Sequence, residues 1–264
     1  MIDVRGHRAL VTGGTQGVGQ AIAVALARAG ADVVVHGLRL DEAARDTEAA
    51  CRDAGARVAM LEGDLADDPV HATARLFEAA AVVMPGIDLL VNNAGTALDT
   101  THFLELSPDV FDRTLRLNVA APFFLTQRFA RAWVAARVRG RVLFTGSING
   151  RLAEPMHAAY DTSKGAIEMM VKTLCVSLAP HGIRVNGMAP GLVRTPLTGA
   201  FLDNPRALAW MQQHTPNGEV PGPEVCGDAA VYLLSDAAVH VHGQMLLVDG
   251  GMSAWQQPDP PLLR

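Results

Sequence analysis

Within the first thirty-five or so residues a strand, a glycine-rich turn, a helix and a second strand follow one another, and no other stretch constrains the fold as tightly. Ala9-Leu10-Val11 is a short apolar run that leads into Thr12-Gly13-Gly14-Thr15-Gln16-Gly17-Val18-Gly19. Ile22, Leu26 and Ala29 then recur at helical spacing up to Gly30, and Val33-Val34-Val35 restarts a strand. Glycines in such a turn let the backbone approach a pyrophosphate, and the helix N-terminus turns donors and positive potential toward it. The unit is therefore expected to bind a dinucleotide. Glycines serving a tight turn alone would leave the strand–turn–helix context without a purpose.

The alternation continues to the end of the chain. Helical spacing covers Asp41 to Ala54, and Leu76 to Met84 completes a third helix; Val58–Leu61, Ile87–Val91, Gly140–Thr145, Gly182–Asn186 and Gln244–Val248 read as further strands. Ser107-Pro108 opens a helix whose expected core face is Leu115, Leu117, Val119, Phe123, Phe124 and Phe129, with Asn118 as a polar intruder. The Tyr160 helix should run to about Ala179, and Val225–Leu234 is another. Nearly continuous apolar strands alternating with helices imply a parallel sheet covered on both faces. The expectation is an α/β fold: one Rossmann-type domain over residues 1–255, with a doubly wound, seven-stranded parallel sheet and helices on both faces. An irregular segment at about 195–223 reads as a substrate lid, and 256–264 as a Pro-rich tail.

Composition removes other classes. A net charge of -5 with no basic block argues against a nucleic-acid partner. The three cysteines stand far apart without ligand spacing, so no metal and a reducing, cytoplasmic setting are expected. The start lacks a signal peptide's apolar core and no run is long enough to span a bilayer, so no membrane is expected.

Asp64, Asn92 to Gly95, Ser147 and Pro190-Gly191 each follow a different strand, and in a parallel sheet such ends open onto one crevice. Asp64 is placed to accept from an adenine amino group or to cap the next helix. The small residues Ala94 and Gly95 let a flat ligand lie against the backbone. Tyr160 and Lys164 project from one helix face, and a cation near a phenol lowers its pKa, as a general acid or base requires. The chain uses Lys only at 164 and 172 among 22 basic residues, a choice consistent with chemistry at 164. After the second strand, His36-Gly37-Leu38-Arg39 offers no carboxylate to a ribose hydroxyl, and Arg39 is available to a 2′-phosphate, so NADP(H) is favoured over NAD(H). Asn149, Glu154, Met156 and His157 on one side, with Met188, Leu192, Trp210 and His214 on the other, are candidates to shape a substrate pocket.

Taken together, Thr12-Gly13…Gly17-Val18-Gly19, Asp64, Asn92-Asn93-Ala94-Gly95, Asn118, Ser147, Tyr160…Lys164 and Pro190-Gly191…Val193…Thr195 resemble the single-domain branch of the short-chain dehydrogenase/reductase family, over residues 5 to 252. The resemblance implies hydride transfer between a nicotinamide and a carbonyl or secondary alcohol, with Asn118, Ser147, Tyr160 and Lys164 as the catalytic set. In it Tyr160 is the general acid or base, Ser147 holds the substrate oxygen, Lys164 lowers the phenol and holds the nicotinamide ribose, and Asn118 anchors a water relay. It carries cofactor contacts onto Gly13, Thr15, Gln16, Gly17, Val18, Gly19, Asp64 and Leu65, with Arg39 added from the reading of the second strand's end. The same implication extends to Asn93, Ala94, Gly95, Tyr160, Lys164, Pro190, Gly191, Val193 and Thr195. It also implies a homotetramer or dimer. A 3-oxoacyl thioester, a sugar or polyol, and a cyclic or steroid-like alcohol stand as alternative substrates. A catalytically silent NAD(P)-binding regulator is the alternative from another class, and it would predict a damaged catalytic set.

Overall fold

The computed structural model describes residues 2–255. Seven parallel strands form one sheet in the order β3-β2-β1-β4-β5-β6-β7. In chain order the elements are β1 (Arg8–Thr12), α1 (Gly17–Arg28), β2 (Asp32–Gly37), α2 (Glu42–Asp53), β3 (Val58–Glu62), α3 (Pro69–Val83) and β4 (Leu89–Asn92). There follow α4 (Pro108–Leu115), a π-helical turn (Arg116–Ala120), α5 (Ala121–Ala136), β5 (Arg141–Thr145), α6 (Ala158–Leu178) and β6 (Arg184–Pro190). The chain closes with α7 (Gly199–Leu202), α8 (Pro205–Gln213), α9 (Val225–Leu234) and β7 (Met245–Val248). The expected doubly wound sheet is present, and its order reverses between β1 and β4, where such sheets open a ligand crevice. The Pro-rich tail expected at 256–264 lies outside the described residues.

Alternating strand residues feed two cores. Leu10, Val34, Leu90, Val142 and Phe144 pack under α3, α5 and α6; Val11, Val33, Val35, Val91 and Leu143 pack under α1, α2 and α9. Each fully buried side chain of this size contributes about 1.5–3 kcal/mol. Side-chain caps fix where helices begin: Asp41 accepts from the Ala44 amide, Asp68 from His71, and Ser107 from Val110. Asp68 is thus the cap of α3, and Asp64 is left for the crevice.

Two expectations need correction. The helix begun at Ser107-Pro108 is interrupted by the π turn, whose extra residue rotates the following face by about 100°. Phe123, expected in the core, is 39% exposed, while Thr126, Ala130 and Trp133 turn inward beside Phe129. The same turn brings Asn118 to 3% exposure. The segment at 195–223 is also more regular than expected. Asn204-Pro205 is an N-cap followed by proline at the first helical position, and the Asn204 side chain accepts from the Arg206 amide to start α8.

Candidate active site

The crevice above the carboxyl ends of the strands has a volume of about 470 Å³. At one end is the glycine turn. Gly13 and Gly17 sit at φ +61° and +56°, backbone that other residues rarely adopt, and a Cβ on Gly19 would run into the Gly13 carbonyl and the Asn93 amide. No side chain caps α1, so its first-turn amides are open to an anion. Two strand ends are fastened together beneath this turn. Asn93 Nδ2 donates to the carbonyls of Thr12 and Gly13 at 3.1 and 3.0 Å, and Thr12 Oγ1 accepts from the Asn93 and Ala94 amides at 3.0 and 3.1 Å. The Asn93 side chain is consumed by the frame, which leaves backbone and small side chains to face a ligand.

Beside the ends of β2 and β3 the crevice is lined by His36, Leu38, Gly63, Asp64, Leu65 and Arg113. Partial burial pushes the Asp64 carboxyl up, but the Arg113 hydrogen bond and the Ala66 amide outweigh it and hold the pKa below the usual carboxylate range. Arg113 Nη2 lies 2.8 Å from one Asp64 oxygen and the Ala66 amide 2.8 Å from the other. Asp64 is therefore already partnered on both oxygens. Burial lowers the His36 imidazole to about 4, so it is neutral at physiological pH. Gly37 leaves no room for a longer residue, since its Cβ would strike the Thr15 side chain. Arg39 is exposed just outside the lining and forms no ion pair among the described residues.

The other end holds the catalytic candidates. β5 delivers Ser147, whose Oγ accepts from the Asn149 amide at 3.1 Å and lies beside the Tyr160 phenol. Lys164, 7% exposed, donates from Nζ to the Thr145 carbonyl at 2.9 Å and stands 5.4 Å from the Tyr160 ring centroid. Behind them Asn118 Oδ1 accepts from the Thr96 amide, and its Nδ2 donates to the Thr96 carbonyl and to Ser163 Oγ. Ser163 in turn donates to the Tyr160 carbonyl at 2.6 Å. Asn118 thus ties the segment after β4 to α6.

The electrostatics reverse one expectation. The sequence leads one to expect a lowered phenol, yet burial pushes Tyr160 up to about 12, opposed by the Ser147 hydrogen bond and reinforced by Asp161, Glu154 and Asp99. Burial also lowers Lys164, to about 8. Desolvation dominates both groups, and the ammonium stands over the ring and spends its hydrogen bond on a carbonyl instead of the phenol oxygen.

Of the residues expected at the cofactor, all but Arg39 line this one crevice. The substrate candidates fare differently, and none lines it. Met188 is fully buried in the core between the sheet and α1. The Asn149 amide donates both hydrogens, to Glu154 at 3.1 Å and Asp161 at 2.8 Å, and forms the turn before α6. Glu154 is exposed and takes part in that turn. Leu192 lines a separate cavity of about 380 Å³ with Thr215, Asn217 and Asp249. Trp210 is 54% exposed and stacks on His214 with ring centroids 3.8 Å apart. The His157 ring lies 6.1 Å from that of Tyr160, and the Asn149 backbone amide donates to Ser147 Oγ, so these two stand beside the catalytic candidates without lining the crevice.

Sequence reasoning missed Asp99 and Arg113. Each acts across a large sequence separation, so no local pattern marks either. Among the described residues no group of three or more His, Cys, Asp and Glu stands together as a metal site, and no helix is long and apolar enough to cross a membrane.

A glycine-turn crevice with a serine, tyrosine and lysine at its far end defines a dinucleotide-dependent oxidoreductase of the Rossmann class. The family model described as enoyl-(acyl carrier protein) reductase matches residues 13–253. The L-rhamnose 1-dehydrogenase (NADP(+)) of Thermoplasma acidophilum is 31% identical, over 96% of this chain and 98% of that protein. The gluconate 5-dehydrogenase of Gluconobacter oxydans is 33% identical, over 96% and 97%. Among solved structures, a gluconate 5-dehydrogenase from Burkholderia cenocepacia in complex with NADP and tartrate superposes with a TM-score of 0.89 at 32% identity, covering 96% of this chain and 98% of that one. The chain belongs to the short-chain dehydrogenase/reductase family.

Proposed function

We propose that the protein is an NADP(H)-dependent dehydrogenase acting on a hydroxyl, or the corresponding carbonyl, of a sugar or sugar acid. One observation carries the reaction: the glycine turn and the Ser147–Tyr160–Lys164 group face a single crevice of dinucleotide size. The open amides of α1, the two positive-φ glycines and the absence of a carboxylate on Gly37 fit a dinucleotide phosphate. The sugar class is supported by the relatives, whose names specify rhamnose and gluconate as substrates.

When bound, the nicotinamide supplies the hydride. Tyr160 passes a proton between its phenol and the substrate oxygen, and Ser147 holds that oxygen and stabilises its charge. Lys164 offers its ammonium to the nicotinamide ribose and to the phenolate as it forms. Asn118 keeps Thr96 and α6 in register behind the proton path. Gly13 to Gly19 would hold the pyrophosphate, and Asn93, Ala94, Gly95, Pro190, Gly191, Val193 and Thr195, which line the same crevice, would flank the nicotinamide half. Residues 195–223 close over the substrate as a lid.

A homo-oligomer, tetramer or dimer, is supported by apolar side chains left exposed on α4, α5 and α6, namely Phe111, Phe123, Met169 and Val176. A cytoplasmic location is supported by three thiols left unpaired.

The test is turnover on rhamnose, glucose and gluconate with NADP+, and on 5-ketogluconate with NADPH, beside a 3-oxoacyl thioester and a steroid alcohol. Sugar turnover that disappears in Tyr160→Phe with cofactor affinity preserved is the expected result. Turnover confined to the thioester or steroid would overturn the substrate class, and an active Tyr160→Phe would remove the tyrosine from its role.

A further inference from the structure

α6 begins without a cap of its own. His157 occupies the N-cap position at φ -126° and ψ 36°, and its side chain accepts no amide of the helix. The missing acceptor comes from about 60 residues upstream. Asp99, in the segment after β4, is 1% exposed, and its Oδ2 accepts from the Ala159 amide at 2.8 Å and the Tyr160 amide at 3.2 Å. The other carboxylate oxygen, Oδ1, is buried with no partner among the described residues. A buried carboxylate with one unpaired oxygen is costly to keep, and a short polar loop residue could cap a helix from the surface instead. Asp99 gains what such a cap lacks: it grips the backbone of Tyr160 itself and sets a negative charge against the phenol's first turn.

We infer that Asp99 is a positioning residue for the reaction, one that fixes the start of α6 and thereby the Tyr160 side chain, and that sets a carboxylate beside the helix turn bearing the phenol. The inference rests on the reading of Tyr160 as the acid or base. The groups around the phenol bear on it from every side. Asp161 and Lys164 stand on α6, Glu154 and His157 on the turn before it, Ser147 at the end of β5, and Asp99 after β4. Three of the four acidic or hydroxylic neighbours raise the phenol and only Ser147 lowers it. Lys164 makes its hydrogen bond to Thr145. Asp99 is the one carboxylate among them that also holds the Tyr160 amide.

The chain has two tyrosines, Tyr160 and Tyr232, so in a Tyr232→Phe background the ultraviolet absorbance of the phenolate reports Tyr160 alone. Asp99→Asn keeps an oxygen for the two amides and removes the charge. The expected result is at least about twofold more phenolate than the parent at about pH 10.5, because removing a like charge eases ionisation. Asp99→Ala removes the acceptor as well. Its kcat should fall at least about tenfold with cofactor affinity within about threefold, and Asp99→Asn should recover most of that loss. Superimposable phenolate titrations in parent and Asp99→Asn would overturn the electrostatic part. An unchanged kcat in Asp99→Ala would overturn the positioning part. Where Asp99→Ala does not fold, the Asp99→Asn titration still decides. The titration needs no substrate, so its outcome is separate from that of Tyr160→Phe turnover, which tests the catalytic reading by itself.

Discussion

Replacing Lys164 by methionine should make the apoprotein more stable while abolishing turnover. The ammonium is 7% exposed, with the Thr145 carbonyl as its hydrogen-bond partner. Burial holds its pKa at about 8 instead of the ordinary 10.5. At about 1.4 kcal/mol per tenfold change in proton affinity, keeping that charge inside costs the fold about 3 kcal/mol. Methionine fills similar volume without charge and gives up one hydrogen bond of about 1 kcal/mol, so a net gain of about 1–3 kcal/mol is expected at about pH 7. The pH dependence fixes the sign. Between about pH 8 and 10.5 the unfolded chain still holds the lysine proton while the folded chain has released it. Parental stability must therefore rise across that window. Tyr160, raised to about 12, keeps its proton when folded but loses it above about 10 when unfolded, which erodes stability only at the upper edge. Urea denaturation of both apoproteins at about pH 7 and about pH 9.5 makes the comparison. The advantage of Lys164→Met should shrink at the higher pH. A variant less stable than the parent at about pH 7, or an advantage independent of pH, would refute the reasoning.

Two further outcomes follow from the same structure. Arg39→Ala should weaken NADP(H) binding at least about tenfold and leave NAD(H) nearly unchanged, read by nicotinamide fluorescence; equal weakening of both would exclude a 2′-phosphate contact. Arg184 donates at 2.8, 3.0 and 2.8 Å to the carbonyls of Leu233, Ala238 and Ser235, which caps the end of α9, and is 7% exposed. Arg184→Met should cost about 3 kcal/mol or more in urea denaturation by orphaning those carbonyls, and a loss under about 1 kcal/mol would contradict that account.

The sequence made the frame legible where a local pattern has one physical cause. Gly13, Gly17 and Gly19 marked the turn that lines the crevice, because positive φ at the first two and the close approach at the third exclude larger residues, and Tyr160 and Lys164 marked one face of α6, because four residues make about one turn. Local pattern failed where placement depends on distant contacts. Met188 looked like a pocket residue until the strand's alternation was fixed, and the alternation turns it into the core. Phe123 looked buried because a regular helix was assumed, and the π turn at Arg116–Ala120 leaves no composition signal. Asn149 and Glu154 looked free to meet a substrate, but Asp161 and the turn before α6 occupy them. The direction of the Tyr160 shift was misread for a related reason: spacing shows that the lysine is near, and only coordinates show which atom it faces.

The π turn also makes the α4–α5 rod intolerant of length change at one place. Deleting one residue from Arg116–Ala120 would let the two helices merge into a single regular one. All of α5 would then turn about 100° and shift about 1.5 Å along its axis. Phe129 and Trp133 would swing out of the hydrophobic layer while Asn118 lost its grip on Thr96 and Ser163. A one-residue gap placed there in an alignment of relatives therefore marks a different rod, with its own way of tying the segment after β4 to α6.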